Sequence, residues 1–162
     1  MNKQVRRKQQ VLDNEQILEV LKNNTSGVLS LIDEQGNPYG VPLNYTYYDG
    51  KLLFHSLKVG YKVDLIKHNG KCAFTIIDSD KIVKEEYTSY YKSVIIQGTI
   101  KVIEDKETIL KYINIFTDKF VPGHKMERDE VIKSSMSALA MLELTIEEWS
   151  GKCARSLAKE AK

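Results

Sequence analysis

The Asp49-Gly50 dipeptide constrains this chain more than any other feature. It lies between two β-rich runs, Tyr39–Tyr47 and Lys51–His55, and is the two-residue signal of a tight antiparallel hairpin. The returning strand runs into His55-Ser56-Leu57-Lys58-Val59-Gly60-Tyr61-Lys62. A helix over 60–69 follows, with Val63, Leu65 and Ile66 available for burial. A hydroxyl, a glycine and a lysine therefore meet where a strand hands over to a helix. Free backbone N–H groups and the helix dipole favour an anion there, and a lysine adds a full charge. Ser56, Gly60 and Lys62 are thus candidate contacts for a phosphate-bearing ligand. The rest of the chain has no obvious nucleophile triad or metal cluster.

Other signals surround this hairpin. Asp13 and Gln16 hold capping-box positions before an apolar stripe of Ile17, Leu18 and Leu21. Gly27–Ile32 reads as a strand and residues 33–38 as a turn. Pro42 interrupts the next strand, so that position is an edge, a bulge or a ligand-facing gap. Lys71–Ile77 is apolar and β-rich, 78–86 polar and loop-like, and Tyr90–Ile103 a long strand with Gly98 as a bulge or close approach. Asp105 caps a helix carrying Ile109, Leu110, Ile113 and Phe116, which Val121-Pro122-Gly123-His124 breaks. A weaker helix over 127–133 and a last strand over 138–146 follow. Strands dominate without regular strand–helix alternation, which argues against a doubly wound sheet. The reading is mainly β: one domain over 1–162, an antiparallel barrel with helices packed outside.

Composition narrows the function classes. Hydrophobic residues make up 42% and charged residues 28%, which allows a real core and argues against global disorder. The net charge of +2 is too small to argue for nucleic acid. Lys3, Arg6, Arg7 and Lys8 give residues 1–11 the character of a flexible basic arm. The charged N-terminus lacks an apolar signal core, and no apolar run approaches the roughly 20 residues that span a bilayer. Cys72 and Cys153 form no CxxC or disulfide framework, which fits a reducing cytoplasm. His68 and His124 read as solvated, and three scattered histidines make no metal site. Tyr87, Tyr90 and Tyr91 suit a dimer or core role better than base stacking. Met136 and Met141 read as packing.

Five segments in order give the chain a resemblance: Val41-Pro42-Leu43-Asn44-Tyr45; Phe54-His55-Ser56 with Gly60 and Lys62; Tyr91-Lys92-Ser93-Val94 with Gly98; Phe120-Val121-Pro122-Gly123; and Glu148-Trp149-Ser150-Gly151-Lys152. They resemble the FMN-binding split-barrel proteins of the pyridoxamine 5′-phosphate oxidase type, and within these the 5-nitroimidazole resistance branch. The resemblance implies a split β-barrel of antiparallel Greek-key type and a cytoplasmic homodimer with FMN at the subunit interface. It places Pro42, Leu43, Asn44 and Tyr45 along the flavin ring, largely through backbone atoms. It puts His55 and Ser56 at the groove wall, Lys62 at the phosphate, and Lys92, Ser93 and Val94 along the groove. Trp149 and Lys152 would reach the cofactor from either subunit, although a core or interface anchor also accounts for Trp149. His55 is either a proton donor or orienting group for substrate, or only a hydrogen-bond partner of the cofactor. The implied activity is FMN-dependent reduction of a small substrate, nitroimidazole-type compounds among them, with electrons from NAD(P)H or another donor. The alternatives are a pyridoxamine 5′-phosphate oxidase-like enzyme and a non-enzymatic flavin or haem binder. Only Arg6, Arg7, Arg128 and Arg155 exist to serve a second phosphate, which argues against the first alternative.

Overall fold

The computed structural model describes residues 8–154. A short 3-10 turn, Lys8–Gln10, precedes α1 (Asn14–Asn23). Residues 1–7 of the expected basic arm lie outside the described residues. The arm's other end is held, since Val11 bridges to Lys152 and Leu12 is buried. Asp13 accepts from the Gln16 amide at 2.9 Å, and the Gln16 side chain accepts from the Asp13 amide at 3.0 Å. That reciprocal box starts α1, which buries Ile17, Val20 and Leu21.

Seven strands follow: β1 (Ser26–Ile32), β2 (Pro38–Asn44), β3 (Thr46–Tyr48), β4 (Lys51–Leu57), β5 (Lys71–Val83), β6 (Thr88–Ile103) and β7 (Leu139–Cys153). They form one sheet in the order β2-β1-β5-β6-β7-β4-β3, with every pairing antiparallel. The sheet curls into a half-barrel, the split-barrel architecture expected from the sequence. Asp49 (φ 47°) and Gly50 (φ 74°) both take left-handed backbone, as a primed hairpin turn between β3 and β4 requires. Pro42 falls on the edge strand β2, where its missing donor costs no ladder bond. At Gly98 the β6–β7 register shifts, and a Cβ would stand 2.1 Å from the Thr145 carbonyl. Gly98 is therefore a close approach, and the bulge lies opposite it, where Glu147 of β7 is the extra residue.

Three segments differ from the sequence reading. Residues 78–86 are not a loop. β5 runs on to Val83, turns through Lys84–Glu86 and Tyr87 (φ 49°), and returns as β6. Past Asp78, which slips the register, Ser79–Val83 pairs with Thr88–Lys92 as a ribbon. Its solvated, polar-rich strands carry no buried face to announce them. β7 likewise continues beyond 146 to Cys153, because its second half pairs with β6 as far as Lys92. The run 39–47 splits into β2 and β3 at Tyr45, whose ring turns into the core.

The inner face holds the main core: Leu29, Phe54, Phe74, Ile96 and Leu144, closed by α1 and by Leu65 and Ile66 of α2 (Tyr61–His68). On the outer face of β4 and β7, α3 (Lys106–Phe120) packs Ile109, Tyr112, Ile113 and Phe116 against Leu53 and Met141. Asp105 caps α3 through the Thr108 amide at 2.8 Å. α4 (Lys125–Ser135) extends both ways beyond the helix expected over 127–133.

A buried carboxylate ties α3 to the sheet. Glu143, 3% exposed, accepts from the Tyr112 hydroxyl, from Lys51 at 3.0 Å and from Lys101 at 3.2 Å. Burial pushes the carboxyl up, but Tyr112 and the two ammonium groups outweigh it and hold it below its ordinary value. The folded value thus lies below the unfolded one. The contribution is complete above the unfolded value and is lost as pH falls through the folded one. Glu143→Gln is expected to lower unfolding free energy by about 1–3 kcal/mol at neutral pH in urea titrations. The gap from the native protein should close below roughly pH 4.

Candidate functional site

Alternation along β4 separates neighbours. Leu52, Phe54 and Ser56 turn inward, while Leu53 and His55 turn out towards α3. The Ser56 hydroxyl is buried and finds no hydrogen-bond partner among the described residues. Such a group costs free energy unless something satisfies it. Four residues on, Gly60 (φ 130°) begins α2. Its backbone angle suits glycine, and nothing lies within 4 Å of where a Cβ would be. Among the described residues no side chain caps α2; the Val63 amide donates to the Gly60 carbonyl at 2.8 Å, which leaves the Tyr61 and Lys62 amides for solvent or ligand. Lys62 has no ion-pair partner among the described residues. A buried hydroxyl, an open helix start and an unpaired ammonium thus share one strand-to-helix junction. These groups fit a phosphate.

His55 sits at the edge of this junction. Its ring meets Phe116 at 4.8 Å between centroids and 60° between planes. Partial burial, and then the Lys62 charge, hold its pKa below the ordinary value. The imidazole is therefore neutral at pH 7, with one nitrogen as donor and the other as acceptor.

The outer face gathers a second set. Across the ladders Asn44 stands beside Ser26, and Ser93 between Ile77 and Lys152. In the next row run Pro42, Val28, Thr75 and Ile95. Pro42, Asn44, Ser93 and Lys152 therefore share a face on which Val28, Ile77 and Ile95 are exposed. Lys152 also lies 5.9 Å from the centre of the Tyr91 ring.

Other expected contacts point inward. Leu43 packs against the main core, and Val94 lies within it. The Tyr45 hydroxyl donates to the Leu21 carbonyl at 3.0 Å, its ring meets Phe74 edge-on, and burial raises its pKa. The Tyr45 amide is engaged too, donating to the Thr25 carbonyl at 3.0 Å. Lys92 pairs with Asp78 at 3.1 Å, and Asp78 accepts from Asn24 at 2.6 Å. The Trp149 indole donates to Asn14 at 3.0 Å and packs against the main core.

Burial pushes the Cys72 thiol up to about 12, with Glu147 adding to it, and burial raises Cys153 as well. Neither supplies a thiolate nucleophile at neutral pH. His68 faces Glu34 and His124 faces Glu127, all exposed. Among the described residues no group of three metal-ligating side chains stands together. A cavity of about 570 Å³ beside the start of α3 is lined by Lys58, Lys67, Ile103, Ile109 and Met136, and not by His55, Ser56, Gly60 or Lys62. Among the described residues no helix is long and apolar enough to cross a membrane. Sequence reasoning missed the contact of Phe116 with His55, because Phe116 continues the apolar stripe of α3 and reads as core.

Residues 13–153 match the family model described as pyridoxamine 5′-phosphate oxidase. No curated protein matches the chain significantly. Among solved structures, a candidate 5-nitroimidazole antibiotic resistance protein from Bacteroides thetaiotaomicron has a TM-score of 0.76 at 22% identity, covering 88% of this chain and 86% of that one. The flavocytochrome Anf3 from Azotobacter vinelandii reaches 0.75 at 20% identity, over 88% of this chain and 67% of its own. An FAD- and haem-binding protein from Mycobacterium smegmatis reaches 0.74 at 20% identity, over 94% and 80%. At these identities the likenesses establish the fold.

The coupling of Lys62 to His55 is directly testable. Lys62→Gln is expected to raise the His55 pKa towards its ordinary value, read from the ring protons in an NMR pH titration. An unchanged titration would show that the two groups do not interact.

Proposed function

The chain belongs to the pyridoxamine 5′-phosphate oxidase family, and from that premise we propose that it is a flavin-dependent oxidoreductase acting on a small acceptor. The observation that carries this reading is the junction of Ser56, Gly60 and Lys62. Its orphan hydroxyl, open helix start and unpaired cation provide for one phosphate. One such site suits FMN, with a single terminal phosphate. When bound, the flavin supplies the electron-transfer chemistry. Lys62 and the start of α2 hold the phosphate charge, and Ser56 contributes a hydroxyl. Pro42 and Asn44, on the edge strand, flank a flat slot, while Ser93 and Lys152 offer polar contacts on the same face. Leu43, Tyr45, Lys92, Val94 and Trp149 support this wall from the inner side. His55, neutral and accessible, orients the acceptor or gives it a proton from a ring nitrogen. Planar acceptors such as nitroimidazole-type compounds are the proposed substrate class, with NAD(P)H as donor.

Two copies complete the slot in this reading. Val28, Ile77 and Ile95 make an apolar stretch on the outer face, which a second copy would cover. The ribbon beyond Asp78 extends the same strands and exposes Ile82 and Tyr87, 98% exposed in the latter case. A two-stranded ribbon is marginal alone in water and gains from such a partner.

The visible spectrum of protein purified without added cofactor, and again after FMN addition and desalting, tests the reading. A retained flavin spectrum is expected. Lys62→Glu should lose it without unfolding, and His55→Ala should keep it but reduce acceptors more slowly with NAD(P)H. A colourless protein that releases all added FMN would overturn the reading. A Soret band would replace it with a haem-binding one, and bound flavin without turnover would indicate a binder only. For the assembly, Ile95→Glu is expected to convert a dimer to a monomer in sedimentation and to lower flavin retention. A native protein that sediments as a monomer would remove the second copy from the site.

A further inference from the structure

α3 carries Ile109, Ile113, Phe116 and Phe120 along one stripe. The first two pack wholly within the outer cluster. Phe116, 5% exposed, also meets the accessible His55 ring edge-to-face, and Phe120 stacks behind it at 4.7 Å and 26°. This end of α3 is regular and is tied to the rest of the fold through Lys119. The Lys119 ammonium donates to the Asn24 carbonyl and lies 4.8 Å from the centre of the Tyr45 ring. The Thr117 hydroxyl donates to the Ile113 carbonyl at 2.8 Å, and the Val121 amide to the Thr117 carbonyl at 2.8 Å. An aromatic pair on a fixed helix end therefore abuts a polar ring on a rigid strand.

We propose that Phe116, backed by Phe120, is a positioning residue that fixes the plane of the His55 imidazole and shields one side of it from water. This rests on the reading that His55 faces the bound cofactor and acceptor. A core role alone explains why Phe116 is buried. It does not explain why the stripe ends in two stacked rings against the one histidine at the phosphate junction. The groups that face His55 are Phe116 from α3, Lys62 from α2 and, opposite it in the ladder, Met141 of β7. Lys62 is the charged group among the described residues that shifts its titration, and Lys119 is directed away to α1 and Tyr45. Water exclusion on the α3 side and the Lys62 charge both disfavour imidazolium. The ring is thereby kept as a neutral, oriented donor and acceptor.

The test is an NMR pH titration of His55 in the full chain without flavin, for wild type, Phe116→Leu, Phe116→Ala and Phe116→Tyr. Leu keeps an apolar side chain while covering less of the ring, so it stays informative should the Ala variant unfold. Loss of the Phe116 ring-current shift and a rise of the His55 pKa towards 6.5 are expected for Leu, with a larger rise for Ala. Phe116→Tyr should preserve both signatures. In the flavin-loaded enzyme, the acidic limb of turnover against pH should move upward with the NMR titration. A folded Phe116→Leu protein in which His55 titrates as in wild type overturns the proposal. A moved titration with an unmoved turnover profile keeps Phe116 as holder of the ring and removes His55 from the reaction, so the two readings fail separately.

Discussion

The pleat of a curved antiparallel sheet governs where every side chain of this protein can go. Successive side chains must take opposite faces. The inner face is filled by the main core, so a polar group on it is enclosed, as Ser56 is. The outer face divides in two: α3 covers β4 and β7, and an apolar stretch of β1, β5 and β6 stays exposed. A continuous motif in the chain is therefore two half-motifs in space. His55-Ser56 looks outward and inward in turn, and so do Leu43-Asn44 and Ser93-Val94.

This separation explains what could be read in advance. Strong local chemistry was legible: the Asp13 box, the Asp49-Gly50 turn, the Asp105 cap and the break after Phe120 each depend on a few adjacent residues. So was the antiparallel barrel, because short turns between β-rich runs leave few other ways to bury them. The ribbon beyond Asp78 was not legible, since pairing between two solvated strands leaves no hydrophobic period. Tyr45 was hidden because the run 39–47 breaks there into two strands, and the face of Trp149 for a reason of register. An extra residue, Asp78 on β5 and Glu147 on β7, resets the alternation of its strand, and neither slip is visible until the partner strand is known. Within the candidate site, the junction at 56–62 was legible because helix start and strand end are contiguous. Phe116 was not, because its partner lies on another element.

The second layer shows polar groups placing apolar ones. Glu143 sits beneath α3 and satisfies a hydroxyl and two ammonium groups, so its burial is compensated. It fixes the helix near Tyr112, while Lys119 fixes it near Phe120 through the end of α1. These two attachments, about two turns apart, bracket Phe116 and leave its ring little freedom. The outer helix is thereby a rigid part of the wall beside His55.

The ribbon has a different standing. Its strands pair with each other past Asp78, and Ile82 and Tyr87 lie in solvent rather than in either core. The barrel consequently places few demands on its sequence or length, since loop extension costs little. Over evolutionary time this is the segment where insertions, deletions and drift can accumulate without selection on folding. Whatever is retained there is retained for what it touches.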